Sequence, residues 1–255
     1  MSAPAEIHFY DIPSQLKVNA FSPNTWRIRY ALNYKKVPYH TIWVEYPEIA
    51  PACKKIGAPP TGKKPDGSPA YTVPFIYDPN TDKAISDSIN IIQYLENTYP
   101  SPPERSLIPP GTWPLQLAFI DAILKPTSLL PLFQFTIPRT ATILNEASVT
   151  HFREARKARF GGRDLTEVDP KGEERVTEWK KVENGFGVIN TWMKDQKGNF
   201  LMGDRLIFAD LTLVVFVRWI RDVFGEDSEE WRSAKGWHSG RWERLINELE
   251  QYAKV

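Results

Sequence analysis

The chain has 255 residues, 42% of them hydrophobic and 25% charged, with 32 Lys and Arg against 31 Asp and Glu for a net charge of +1. That composition belongs to a soluble globular protein of one large or two modest domains, and so even a balance gives no electrostatic reason to expect nucleic acid or an anionic membrane as a partner. The most apolar run, residues 211–217, ends at Arg218, far short of the about 20 residues that span a bilayer; Met1-Ser2-Ala3-Pro4-Ala5-Glu6 shows no basic n-region or apolar core, and the lone Cys53 excludes an intrachain disulfide, so no export signal and a cytoplasmic location are expected.

In chain order, residues 7–10 read as a strand. Residues 24–36 read as a helix with Trp26, Ile28, Ala31 and Leu32 on its apolar face and Arg27, Arg29, Lys35 and Lys36 on its polar one. Pro38 stops that helix. Residues 39–45, rich in β-branched and aromatic side chains, read as a second strand, and residues 47–56 as a weak helix closed by Gly57. A loop of Pro, Gly, Lys and Asp fills 58–69. Residues 71–78 and 83–85 form two strands joined by the turn Asp78-Pro79-Asn80-Thr81-Asp82. A third helix covers 86–99, with Ser86 as its N-cap. The order is βαβ, helix, β-hairpin, helix: a four-stranded mixed sheet with its first two strands parallel.

Prolines 100, 102, 103, 109, 110 and 114 then crowd one segment, which neither a helix nor a central strand can cross. It divides the chain into an α/β domain (1–100), a proline-rich linker (101–114) and an all-helical domain (115–255). In the last, Val176, Trp179, Val182, Phe186, Ile189 and Trp192 form a helical stripe within 173–195. Residues 209–223 are apolar nearly all round, and 242–252 read as a last amphipathic helix.

Three weak signals carry chemistry. Pro74 opens what should be an internal strand; it reads either as an edge-strand proline or as half of a cis Val73–Pro74 bond that leaves the Val73 N–H and C=O free to bind. Asp87 and Ser88 open a helix, as a cap or as a carboxylate site built from a hydroxyl and unpaired amides. Ser22 lies between the first strand and first helix, either as a cap or facing the ligand position of α/β sheets. No Gly-x-Ser-x-Gly accompanies it, and His8, His40, His151 and His238 are too scattered to hold a metal.

Ser22, Val73-Pro74 and Asp87-Ser88, in this order and with an all-helical half behind them, resemble the cytosolic glutathione transferases, whose first domain has the thioredoxin fold. Ser22-Pro23 stands where omega-type members have Cys-Pro. Residues 22–27 (SPNTWR) and 152–161 (FREARKARFG) are similar to the fungal etherase-related branch, whose relatives include bacterial lignin β-etherases. The resemblance implies glutathione as co-substrate and no metal. It implies Ser22 donating to the glutathione sulfur, with Asn24 beside it, the Val73 backbone pairing with the cysteinyl unit before cis-Pro74, and Asp87 and Ser88 at the γ-glutamyl end. It also implies a homodimer, and a hydrophobic-substrate site in the helical domain, for which Leu115, Phe119, Phe133 and Phe135 are candidates. Conjugation of aromatic electrophiles, aryl ethers or plant phenolics included, is the expected activity; conjugation, ether cleavage and peroxide reduction stay open. The alternative is a weakly catalytic carrier of polyphenolic ligands that keeps the glutathione site. One departure is local: the later core helix has Ile207-Phe208-Ala209-Asp210 where the family has Ser/Thr-x-x-Asp, which puts that capping bond in doubt. Cys53, beside Lys54 and Lys55, reads as a spectator thiol, and the basic run 151–159 as a solvated, salt-bridged face or a wall that draws in anions.

Overall fold

The computed structural model describes residues 4–255; residues 1–3 of the N-terminal stretch inspected for an export signal lie outside them. The first half contains β1 (Ile7–Asp11), α1 (Pro23–Lys35), β2 (Tyr39–Trp43), α2 (Ile49–Lys55), a short hairpin of β3 (Gly62–Lys63) and β4 (Pro69–Ala70), then β5 (Phe75–Asp78), β6 (Lys83–Ser86) and α3 (Ser88–Thr98). The main sheet runs β2-β1-β5-β6, with β1 parallel to β2 and antiparallel to β5, and β5 antiparallel to β6. This is the expected thioredoxin-like order, with two local corrections. The loop after α2 carries the β3–β4 pair. The third strand of the main sheet starts at Phe75 and is central, so Pro74 is not an edge-strand proline: it stands just outside the ladder, in a cis bond to Val73.

The polar face read for α1 is mostly interior: Arg27 is 6% exposed and Arg29 fully buried. Arg29 lies 2.7 Å from Asp11, with its guanidinium over the rings of Phe9 and Trp43 at 4.9 and 5.5 Å. Burial raises the Asp11 carboxyl pKa against the opposing pull of that guanidinium. Helical periodicity assigns every cation to solvent, so it missed a pair whose partner sits on a strand.

The second half is helical: α4 (Trp113–Ile123), α5 (Phe133–Thr140), α6 (Glu146–Lys157), α7 (Leu165–Val168), α8 (Gly172–Trp192), α9 (Phe208–Phe224) and α10 (Glu229–Leu249). Pro114 does not end the linker but sits in the first turn of α4, where its missing N–H costs nothing. Of the stripe read along α8, Val182, Phe186 and Ile189 are buried, while Val176 and Trp192 at its ends are 72% and 48% exposed. α10 is broken at Trp237–Gly240; His238 and Ser239 take left-handed φ of 52° and 59°, and the His238 ring accepts the Trp242 indole N–H at 2.8 Å. The helix read from residue 242 is the part beyond this break.

The capping doubt at α9 has a physical answer. Ile207 offers no acceptor, so the Asp210 N–H turns to the Ile207 carbonyl. Asp210 still reaches back to the Ile207 N–H at 3.0 Å and takes the Leu201 N–H at 2.7 Å. The Ala209 N–H, left over in the first turn, is taken by the Gln116 side chain from α4 at 2.9 Å. The two halves meet along α1 and α9, where the Arg218 guanidinium lies 3.6 Å from the Trp26 ring, bonds the Tyr30 hydroxyl at 3.0 Å and pairs with Asp222.

Candidate functional site between the two halves

A cavity of about 280 Å³ opens between the halves. Phe21, Ser22, Pro23, Asn24 and Arg27 line it from the start of α1, Tyr46 from the turn before α2, and Phe133, Phe152, Phe216 and Trp219 from the helical half. Arg156 and Arg159 complete its polar wall.

Ser22 occupies the N-cap position of α1, 8% exposed, but its side chain makes no capping bond. Among the described residues only its carbonyl is engaged, by the Trp26 N–H at 2.9 Å and the Thr25 hydroxyl at 3.1 Å. The hydroxyl is therefore a free donor at the positive end of a 13-residue helix. Asn24 stands beside it, with its amide oxygen taken by Arg27 at 3.1 Å; its NH₂ is left to donate. Arg27 also reaches the Ser88 hydroxyl at 3.5 Å. That guanidinium links the start of α1 to the start of α3, and periodicity had no means of flagging it. Burial lowers its pKa to about 10, against the opposing charge of Asp87, and its Nε has no partner.

Asp87, not Ser86, caps α3: its carboxylate accepts the Ile89 N–H at 2.8 Å. Its backbone has φ 75° and ψ 132°, a region costly for a side-chain-bearing residue by about 1–3 kcal/mol and concentrated at ligand sites. Ser88, 7% exposed, follows in the first turn. Val73 is buried, and among the described residues its N–H and C=O join no backbone bond.

Of the four apolar candidates only Phe133 lines the cavity. Leu115 points outward, 71% exposed. Phe119 packs edge-on against Trp192, and Phe135 is core, against Trp179. Aromatic content alone could not tell which face of each helix turns to the cleft. Cys53 is buried, and burial pushes its thiol up to about 11. The basic run divides: Lys157 pairs with Glu154 at the surface, whereas Arg156 and Arg159 face the cavity. Among the described residues no group of three His, Cys, Asp or Glu could hold a metal, and no helix is long and apolar enough to cross a membrane.

A thioredoxin-like domain with a helix-terminal serine, a cis-proline ahead of the central antiparallel strand and an acidic-Ser helix start, backed by a helical domain, defines a protein of the glutathione transferase type. The family models agree: "Glutathione S-transferase, N-terminal domain" matches residues 21–98 and "Glutathione S-transferase, C-terminal domain" residues 114–252. The chain belongs to the glutathione S-transferase family. It is 31% identical to the glutathione S-transferase-like protein ustS of Aspergillus flavus, over 96% of this chain and 90% of that one. Among solved structures it is similar to a glutathione S-transferase of Ceriporiopsis subvermispora in complex with glutathione (42% identity, TM-score 0.92, 98% and 99% of the two chains covered). It is also similar to the glutathione transferase GSTFuA3 of Phanerochaete chrysosporium (39% identity, TM-score 0.91, 99% of each chain).

Proposed function

We propose that the chain is a glutathione-dependent transferase in which Ser22 holds the glutathione thiolate for attack on an aromatic electrophile bound in the cavity between the halves. The observation that carries this reading is the unengaged Ser22 hydroxyl at the N-terminus of α1, lining a cavity walled by aromatic rings. An alkyl thiol of pKa about 8.5 is mostly protonated at neutral pH. A hydrogen bond to the charged form, with the helix dipole, lowers that value; a shift of two units needs about 2.7 kcal/mol of selective stabilisation, within reach of one charged bond and one dipole. Ser22 acts as donor and not as nucleophile, since no base adjoins it.

The Val73 N–H and C=O are free to pair with the cysteinyl unit. Asp87, with one carboxylate oxygen on Ile89, turns the other to the γ-glutamyl ammonium, and Ser88 with the first amides of α3 holds the carboxylate. Asn24 supports the sulfur. A relative with 42% identity is described in complex with glutathione, which favours the same ligand here. Phe133, Phe152 and Trp219 then form the electrophile's apolar bed. Conjugation of a generic aryl halide at a rate that Ser22→Ala lowers tests the reading; a cavity that binds polyphenols but shows no turnover would make the chain a carrier. A homodimer in the cytoplasm completes the reading, and a monomer in dilute-solution sedimentation refutes the first part of it.

A further inference from the structure

Among the described residues three guanidinium groups line the cavity and no carboxylate does. The nearby acids are engaged elsewhere. Glu154 holds Lys157 at 2.6 Å. Glu178, beyond Phe133, holds Lys181 and Gln134. Glu45 is taken by Asn145 and Ser148, and Asp11 by Arg29. Among the described residues neither Arg156 nor Arg159 has a carboxylate within ion-pair distance. Each guanidinium instead lies over a ring of the same cavity: Arg156 is 4.8 Å from the Phe152 centroid and Arg159 4.4 Å from that of Phe133. A guanidinium above a ring face keeps its N–H edges free, and among the described residues neither group donates a hydrogen bond; Arg156 is half-buried and Arg159 exposed at the cavity mouth. They are also close enough that the charge of Arg156, after burial, lowers the pKa of Arg159. Two like charges held together over aromatic faces form a site built for an anion with an aromatic body; Arg27 lines the same cavity, but its guanidinium is spent on Asn24 and Ser88 and faces the charge of Asp87.

We propose that the electrophile this cleft selects is an aromatic compound bearing a carboxylate or a group of like charge, its anionic end held by Arg156 and Arg159 and its ring laid on Phe133 and Phe152. This rests on the reading of Ser22 as the thiolate donor. The volume suits it: a cavity of about 150 Å³ takes a benzene, so about 280 Å³ admits one substituted ring together with the attacking sulfur. For an aryl halide the step balances simply. The thiol proton leaves to solvent as the thiolate forms, the C–S bond forms at the ring carbon, and the C–halogen bond breaks with its electron pair on the departing halide; nothing is oxidised or reduced. The γ-glutamyl end of glutathione is served at α3, and the glycyl carboxylate is the one anion of glutathione that could compete for the arginine pair, which calorimetry decides.

A matched pair of probes tests this: 4-chloro-3-nitrobenzoate and its methyl ester, with the full-length protein at saturating glutathione. Each kcat/KM is divided by the uncatalysed rate constant with glutathione, so the ester's greater intrinsic reactivity cancels. The carboxylate should be preferred by about tenfold or more, the yield of a charge-assisted bidentate contact. The preference should fall to near parity in the Arg156→Gln, Arg159→Gln double variant. Equal treatment of the two probes by the unaltered protein overturns the proposal, as does an equal loss on both in the variant. So does an equal weakening of glutathione binding alone, measured by calorimetry, which would give the arginines to glutathione instead. If neither probe is turned over, the transferase reading fails separately. Binding of anilinonaphthalene sulfonate against neutral N-phenylnaphthylamine then decides: a sulfonate preference that the double variant abolishes sustains the anion site, and no preference removes it.

Discussion

Replacing Ser22 by alanine separates two roles that sequence leaves entangled. The hydroxyl makes no capping bond, and the first turn of α1 is served by the Ser22 carbonyl, which the substitution keeps. The folded protein should therefore lose no more than about 0.5 kcal/mol, a fall in Tm of about 2 °C or less for a chain of this size. The catalytic loss should be much larger. A hydrogen bond to a charged group contributes about 1.5–3 kcal/mol, which at 1.36 kcal/mol per unit raises the bound thiol pKa by about one to two units. Ultraviolet thiolate absorbance against pH reads that shift directly. Turnover below about pH 7 should drop about 10- to 100-fold and recover as pH rises past the new pKa, while glutathione affinity changes little. The reasoning is refuted by the opposite pattern: a Tm lower by several degrees with thiolate absorbance and turnover intact, which would make Ser22 a cap and pass the donor role to Asn24, Thr25 or a backbone amide of α1.

Asp87→Ala should raise the glutathione KM about tenfold, the equivalent of 1.4 kcal/mol, with kcat little altered; steady-state kinetics showing the loss in kcat alone contradicts a binding role. Asp210→Ala strands the Leu201 and Ile207 N–H groups and should cost about 2–5 kcal/mol by denaturant unfolding. Burial pushes the Asp210 carboxyl up to about 7, above its unfolded value of about 3.9, so the native state holds the extra proton between these values. The stability difference between wild type and Asp210→Ala should be largest below about pH 4 and shrink as pH rises through about 7; a difference that grows with pH would overturn this. A Cβ on Gly185 would lie 2.0 Å from the Ser128 carbonyl oxygen, so Gly185→Ala should force α8 away from that turn and lower Tm markedly, and an unchanged melting curve would show that the contact yields.

What the sequence made legible followed from local rules. Alternating strands and helices with a turn between the last two strands give the mixed sheet, and the α8 stripe gives the buried Val182, Phe186 and Ile189. Order and resemblance pointed to Ser22, Val73, Asp87 and Ser88 as candidates. What escaped depends on contacts between distant segments. Pro138 inside α5 and Pro114 in the first turn of α4 hid two helices from periodicity. Gln116 caps a helix 93 residues away, which no motif encodes. Arg27 looks like any surface cation until Asn24 and Ser88 close around it, and Phe133 differs from Phe135 only in which way its helix is turned.

The seam between α1 and α9 bears on how such proteins can be recombined. Trp26 and Tyr30, which receive Arg218, stand one and two turns beyond the serine, and Phe216 and Trp219 of the cavity flank that arginine on α9. The carbonyls of Tyr252 and Lys254 are tied back to Asn33 at 2.8 and 2.9 Å, so the end of the chain grips the same helix. The two halves are thus not interchangeable modules. A chimera joining the first domain of one relative to the helical domain of another should therefore shift Ser22 against the aromatic wall of the cavity unless the aromatic pair and the arginine are transplanted together.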